Sequence, residues 1–309
     1  MKIVAGMGSI DDYIALVEAG ADEVFCGYVP YEWNKTYGNL FSLNRREVLY
    51  YNIQISSLED MRILSEMVKV YKVPVSITFN YLYYLEEQYE KIRYLIEELN
   101  ALGFRDYIIA DIGLLLYLRE HNVECSIHLS GETAELNHLS MNFFNEFDIN
   151  RYIFHRKNTI SDMHKCIEQN GDKYEYEAFI MNEKCHYSGA FCNSLHCDEL
   201  EHLCKVPYRL SVIEGEYVEE SEDTELEEEN NVVGMSGCGL CSLISLRDAG
   251  VTHLKVVGRG ASIEDMISSI AVLKRALVVM EGIENNTEFR ETIKNNIFNN
   301  NCSKNCYYY

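Results

Sequence analysis

The chain has 309 residues, 47% of them apolar and only 3 prolines, enough for one large domain or two modest ones and unlike fibrous or linker-rich sequences. No apolar run reaches the roughly 20 residues that span a bilayer, and the opening MKIVAGMGSIDDY turns acidic too early for a secretory signal, so a cytoplasmic location with reduced thiols is expected. Against 49 acidic residues stand 27 basic ones, a net charge of −22 that repels phosphates and makes a nucleic-acid partner unlikely.

In chain order, short β-rich runs alternate with helical patterns. KIVAG (2–6) is followed by SIDDYIALVEAG, where Ser9 is placed to cap a helix that Gly20 ends. DEVFCG (22–27) is the second strand. SSLEDMRILSEMVKVY reads as a capped amphipathic helix before PVSITFN (74–80), and YEKIRYLIEELNALG (89–103) as another before YIIAD (107–111). The strands ECSIHLS (124–130), RYIFHR (151–156), YEYEAFIM (174–181) and HLKVVGR (253–259) complete eight. Alternating β and α units predict a parallel sheet, and eight repeats favour a closed (β/α)8 TIM-like barrel, with chemistry at the C-terminal ends of the strands. No G-x-G-x-x-G follows the first strand, which weakens a dinucleotide fold.

Two segments break this rhythm. Residues 183–252 lie between strands seven and eight and are too long for an ordinary crossover. Within them EGEYVEESEDTELEEE carries ten acids and no base, the pattern of a solvated loop or hairpin. The last stretch, 284–309, is Asn-rich and polar and reads as a flexible tail, so that the barrel domain with its insert spans 1–283. Its ending CSKNCYYY is a candidate second thiol site.

The insert holds six of the eleven cysteines: Cys185, Cys192, Cys197, Cys204, Cys238 and Cys241. Single buried cysteines behave as small hydrophobes, but six starting at the catalytic end of a barrel strand point to a metal. Zinc sites use paired C-x(2–4)-C knuckles, a spacing that only CGLC (238–241) meets. Four scattered thiolates can instead hold a [4Fe–4S] cluster. Spacing leaves zinc and iron–sulfur both open.

Several segments, in order, resemble peptidase family U32, the collagenase-like group. They are LVEAGADEVFCG (16–27), IIADIGLLLYL (108–118), CSIHLSGETAELN (125–137), YIFHRKNTISDM (152–163) and YEAFIMNEKCHYSGAFC (176–192), then LCKVPYRL (203–210) and CGLCSLISLRDAGVTHLKVVGR (238–259). The resemblance implies a divergent (β/α)8 barrel and one of two activities: proteolysis, for which the family was named, or oxygen-independent hydroxylation with a [4Fe–4S] cluster. It implies Cys185, Cys192, Cys204 and Cys241 as cluster ligands, with Cys197 and Cys238 in reserve, and zinc as the alternative metal. Relatives in quinone biosynthesis pair with a second subunit, so a U32-family partner is an expectation here.

A protease needs a nucleophile with its base or an activated water, and neither G-x-S-x-G nor H-E-x-x-H occurs. Adjacent Cys–His pairs exist at 185–186 and 196–197, but sequence neighbours rarely face each other productively. The residues expected at the barrel mouth are Asn80, Asp111, His128, Ser130, Glu132, His155, Arg156, Asn182 and Arg259. His128 suits acid–base work and Asp111 is a further catalytic candidate. Arg259 and Arg156 suit a carboxylate, and Glu177 reads as structural. The substrate is expected to be a small aromatic acid, a quinone precursor or a peptide. A non-catalytic metal-binding subunit is the third reading.

Overall fold

A computed structural model describes residues 1–38, 42–45, 53–185, 234 and 236–308. The β-rich runs form eight parallel strands: β1 (Lys2–Met7), β2 (Glu23–Gly27), β3 (Val75–Phe79), β4 (Asp106–Ile109), β5 (Ser126–Leu129), β6 (Ile149–Ile153), β7 (Glu175–Met181) and β8 (His253–Val256). They lie side by side in chain order, and β8 pairs back onto β1 to close the barrel. Around it run α1 (Asp12–Ala19), α2 (Tyr31–Tyr37), α3 (Leu58–Tyr71), α4 (Glu86–Leu102), α5 (Ile112–Glu120), α6 (His138–Phe144), α7 (Ile160–Asn170), α8 (Leu243–Asp248), α9 (Ile263–Glu281) and α10 (Asn286–Asn296). Among the described residues no helix is long and apolar enough to cross a membrane.

The helices begin and end where local chemistry satisfies their open backbone groups. Ser57 Oγ accepts from the Glu59 and Asp60 amides at 3.1 and 3.4 Å, so α3 starts there and buries Met61 and Leu64. Gly103, at φ 106°, ends α4 in a left-handed turn that a residue with a Cβ resists. Ser9 does not cap α1 with its side chain. It accepts instead from the Asp11 amide, and Asp11 takes the cap position.

Every residue of β2 and β3 is buried, as expected for strands covered on both faces. Tyr107 donates to Ile96 O of α4 and Tyr152 to Met141 O of α6, which marks their side chains as outward. The pleat then turns Asp106, Ile108, Arg151 and Ile153 into the lumen.

The chain end is packed rather than loose. α10 buries Phe289 and Ile293 at helical spacing, and Phe298, Tyr307 and Tyr308 are buried beyond it. Tyr308 donates to Phe179 O at 2.6 Å, and Cys306 forms a parallel β-bridge with Cys238. The many asparagines around them conceal these few apolar anchors. α8, inside the 183–252 interval, serves as the ordinary crossover helix into β8, so the inserted stretch ends before it.

Candidate active site at the barrel mouth

The lumen holds ions where such barrels usually pack branched aliphatics. Arg151 of β6 contacts Glu23 of β2 at 2.7 Å, Glu175 of β7 at 2.6 Å and Glu177 of β7 at 3.0 Å. Lys255 of β8 reaches Glu177 at 2.6 Å, and His253 Nε2 lies 3.1 Å from Glu23. Burial alone would raise Glu177, but Lys255 and Arg151 overcome it and hold the carboxyl at about 2. Glu23 is buried too, yet a hydrogen bond with His253 and the charge of Arg151 hold it well below the usual range. For Lys255 burial wins over Glu177, and its pKa falls.

Above this network, at the C-terminal ends of the strands, a cavity of about 390 Å³ opens. Its floor and walls include Phe25, Ile108, Ile153, Phe179 and Lys255, and its rim carries Arg45, Arg156, Arg259, Glu132 and Cys185. Glu132 is gripped by Arg156, Nη1 to Oε1 at 2.9 Å, and by Arg45 at 3.6 Å. Burial by itself would push Glu132 up. The guanidinium groups of Arg156 and Arg45 bring it down to about 2. Arg156 also lies over the Phe179 ring at 3.9 Å.

Arg259 follows β8, in line with Lys255 and Val257 at a spacing of two. Its Nη1 donates to Asn44 Oδ1 at 3.1 Å and Thr78 Oγ1 at 3.0 Å. Gly27 makes room for it: a Cβ there would stand 2.7 Å from Nη1. Such a mouth, cationic above apolar walls in a strongly acidic protein, can hold a small molecule that pairs a carboxylate with a ring.

Of the residues expected here, Asn80, Ser130, Glu132, Arg156 and Arg259 line the cavity together with Cys185. His128 stands lower in the lumen, its Nε2 3.5 Å from Asp106 and its buried Nδ1 without a hydrogen-bond partner among the described residues. Asp111 caps α5, accepting from the amides of Gly113 and Tyr84, each at 2.7 Å, and does not line the cavity. Burial raises its pKa, against those two hydrogen bonds. His155 accepts at Nδ1 from the Lys157 amide, and Asn182 donates to Val257 O and Ser269 Oγ. Glu177 faces inward, paired with Arg151 and Lys255.

The sequence matches the family model of peptidase family U32 over residues 8–309. The chain belongs to that family. Similar solved folds include the U32 peptidase Mk0906, at 10% identity and a TM-score of 0.46, covering 62% of this chain and 73% of that one. Another, described as native KDPGal, has 9% identity and a TM-score of 0.48 over 92% and 97%. Phosphoribosyl anthranilate isomerase from Thermus thermophilus has 8% identity and a TM-score of 0.47 over 90% and 100%. No protein of curated function matches the sequence.

In this U32 chain the thiols fall into separate places. Cys192, Cys197 and Cys204 lie outside the described residues. Cys185 lines the mouth, with Arg156 and Tyr307 beside it. Cys241 does not line it. Burial pushes the Cys241 thiol up, and the groups acting on it are Cys306, Lys294, Cys302 and Arg290. Burial likewise pushes Cys238 up to about 12, with Cys241, Cys306 and Cys302 adding to the rise. As the side chains stand, no three His, Cys, Asp or Glu among the described residues surround a point where a metal ion could bind.

Sequence reasoning missed Arg45, Lys255 and Asn305 at the mouth. Lys255 had a usable signal, since it lies four residues before Arg259 on the same alternating face of β8. Asn305 had none, because only the fold brings the chain end to the barrel.

Proposed function

We propose that this U32 protein is a [4Fe–4S] enzyme of the oxygen-independent hydroxylase type, acting on a small anionic aromatic or quinone-precursor molecule in the barrel mouth. The observation that carries the reading is the cavity itself, where Arg156 and Arg259 stand above Phe179 and Phe25 and Cys185 shares the same space.

Cys185 fits a role as cluster ligand by its position on that rim. Cys192 and Cys204 would supply two further thiolates. The resemblance gives the fourth to Cys241, with Cys238 in reserve for it and Cys197 in reserve for the third. A bound cluster supplies one-electron transfer and a Lewis-acidic iron. The chain's own residues bind and orient. Arg259, steadied by Asn44 and Thr78, takes the substrate carboxylate, and Arg156, steadied by Glu132, stands two strands round the rim after β6. Phe25 and Phe179 cover the ring and exclude water. Lys255, at the floor and hydrogen-bonded to Glu177, is placed to give a proton to a substrate oxygen.

A peptidase is the second reading, favoured by the family's description. A cavity of this size supports a small molecule over a polypeptide strand. The charged lining counts against a purely non-catalytic subunit. The test is anaerobic reconstitution with ferrous iron and sulfide, followed by electron paramagnetic resonance after reduction. The signal should appear in the unmodified chain and vanish in Cys185→Ser; a full signal in Cys185→Ser would sink the assignment.

A further inference from the structure

Among the described residues Lys255 is the one lysine that is buried, and it lines the mouth cavity. Its Nζ donates to Glu177 Oε1 at 2.6 Å and lies over the Phe25 ring, 3.8 Å from the ring centre. Burial lowers its pKa in spite of Glu177, and the charges of Arg151 and Arg259 lower it further. An amine held this way reaches its uncharged, nucleophilic form more readily than a lysine in water.

Glu177 does not depend on that ammonium alone. Its other oxygen, Oε2, accepts from Arg151 Nη1 at 3.0 Å. Lys255 can therefore pass a proton to Glu177 while the carboxyl keeps a cationic partner. The Phe25 ring is shared with Arg259, whose guanidinium carbon lies 6.0 Å from the same ring centre. An amine and a carboxylate-binding group thus stand beside one ring, in a cavity walled by Ile108, Ile153 and Val257. A ketone adjacent to a carboxylate fits that pair.

We propose that Lys255 captures 2-oxo acids as an imine, with Arg259 holding the carboxylate and Glu177 moving the protons. The ammonium first gives one proton to Glu177. The freed electron pair on Nζ attacks the ketone carbon, the C=O π pair moves to oxygen, and that oxygen takes the proton from Glu177. Nζ then gives a second proton to Glu177, and its electron pair expels the hydroxyl, which leaves as water with that proton. One ammonium and one ketone become one iminium and one water, with no change in charge and no redox partner. The inference rests on the mouth as a carboxylate site and is independent of any cluster.

The full chain, purified anaerobically, would be incubated at neutral pH with pyruvate or phenylpyruvate and sodium cyanoborohydride, then digested and mapped by mass spectrometry. Hydride reduces the iminium to a stable secondary amine, so one adduct per chain, on Lys255, is expected. Acetone, a ketone without the carboxylate, should label Lys255 at least about tenfold more slowly, and Arg259→Met should slow pyruvate by a similar factor, the worth of a charged hydrogen bond. Lys255→Arg, which keeps a cation beside Glu177, should take up no adduct. Mapping the parent needs no variant, so the test holds even where a substitution unfolds the chain. Adducts on surface lysines with Lys255 unmodified, equal labelling by acetone and pyruvate, or full uptake by Lys255→Arg would overturn the proposal. Labelled Lys255 in a protein without iron would leave the imine standing and remove only the cluster. An iron-loaded protein with Lys255 unlabelled would do the reverse.

Discussion

Arg151 in β6 reaches across the barrel to Glu23 in β2, Nη2 to Oε2 at 2.7 Å, although the two strands are not neighbours in the sheet. The contact can only pass through the lumen. With Glu175, Glu177, Lys255 and His253 it makes the barrel's interior an ionic network that supports the mouth from below.

Removing the centre of this network leaves buried carboxylates without their cation. Arg151→Met should lower the unfolding free energy by about 3–5 kcal/mol, the usual cost of breaking a buried pair from one side. Urea unfolding measures it. A loss under about 1 kcal/mol would mean that water, not Arg151, compensates those carboxylates.

Acid should unfold the protein through the same groups. Glu177 and Glu132 sit at about 2 in the fold, below the ordinary 4.5. Depressed carboxylates contribute stability that is complete above about pH 4.5 and is lost as pH falls towards 2. Urea midpoints between pH 7 and pH 3 should therefore hold level and then drop, and less steeply in Glu132→Gln. A level profile down to pH 3 would contradict these assignments.

Anion recognition at the mouth should depend on Arg259 and on the space Gly27 leaves for it. Arg259→Met should weaken the binding of a small aromatic carboxylate by about ten- to a hundredfold, the worth of a charged hydrogen bond. Calorimetric titration with benzoate, and with benzamide as the neutral control, would read it. Gly27→Ala should act in the same direction, since its methyl would collide with Gln54 Oε1, the partner of Asn44, and crowd Nη1 at 2.7 Å. Equal affinity of both variants and the parent for benzoate would place the anion site elsewhere.

Much of the fold was legible because barrel strands are short apolar runs separated by helices with clear caps, as Ser57 and Gly103 show. The ionic lumen was not. When helices bury the outer face of a strand, as they bury Tyr152, a charge such as Arg151 reads as the solvent side of an ordinary strand. At the mouth, Arg156 and Arg259 were visible from their positions at strand ends. Asp111 had the same position, yet its carboxylate is taken up in capping α5. The chain end was misread for a different reason: Phe289, Ile293, Tyr307 and Tyr308 are few among asparagines, and only their burial shows that they anchor it.

Iron and acid-labile sulfide, counted per chain on anaerobically purified protein, test the central claim most directly. We predict about four of each, together with broad visible absorption that fades in air. A colourless protein with neither iron nor sulfide, even after reconstitution, would contradict it.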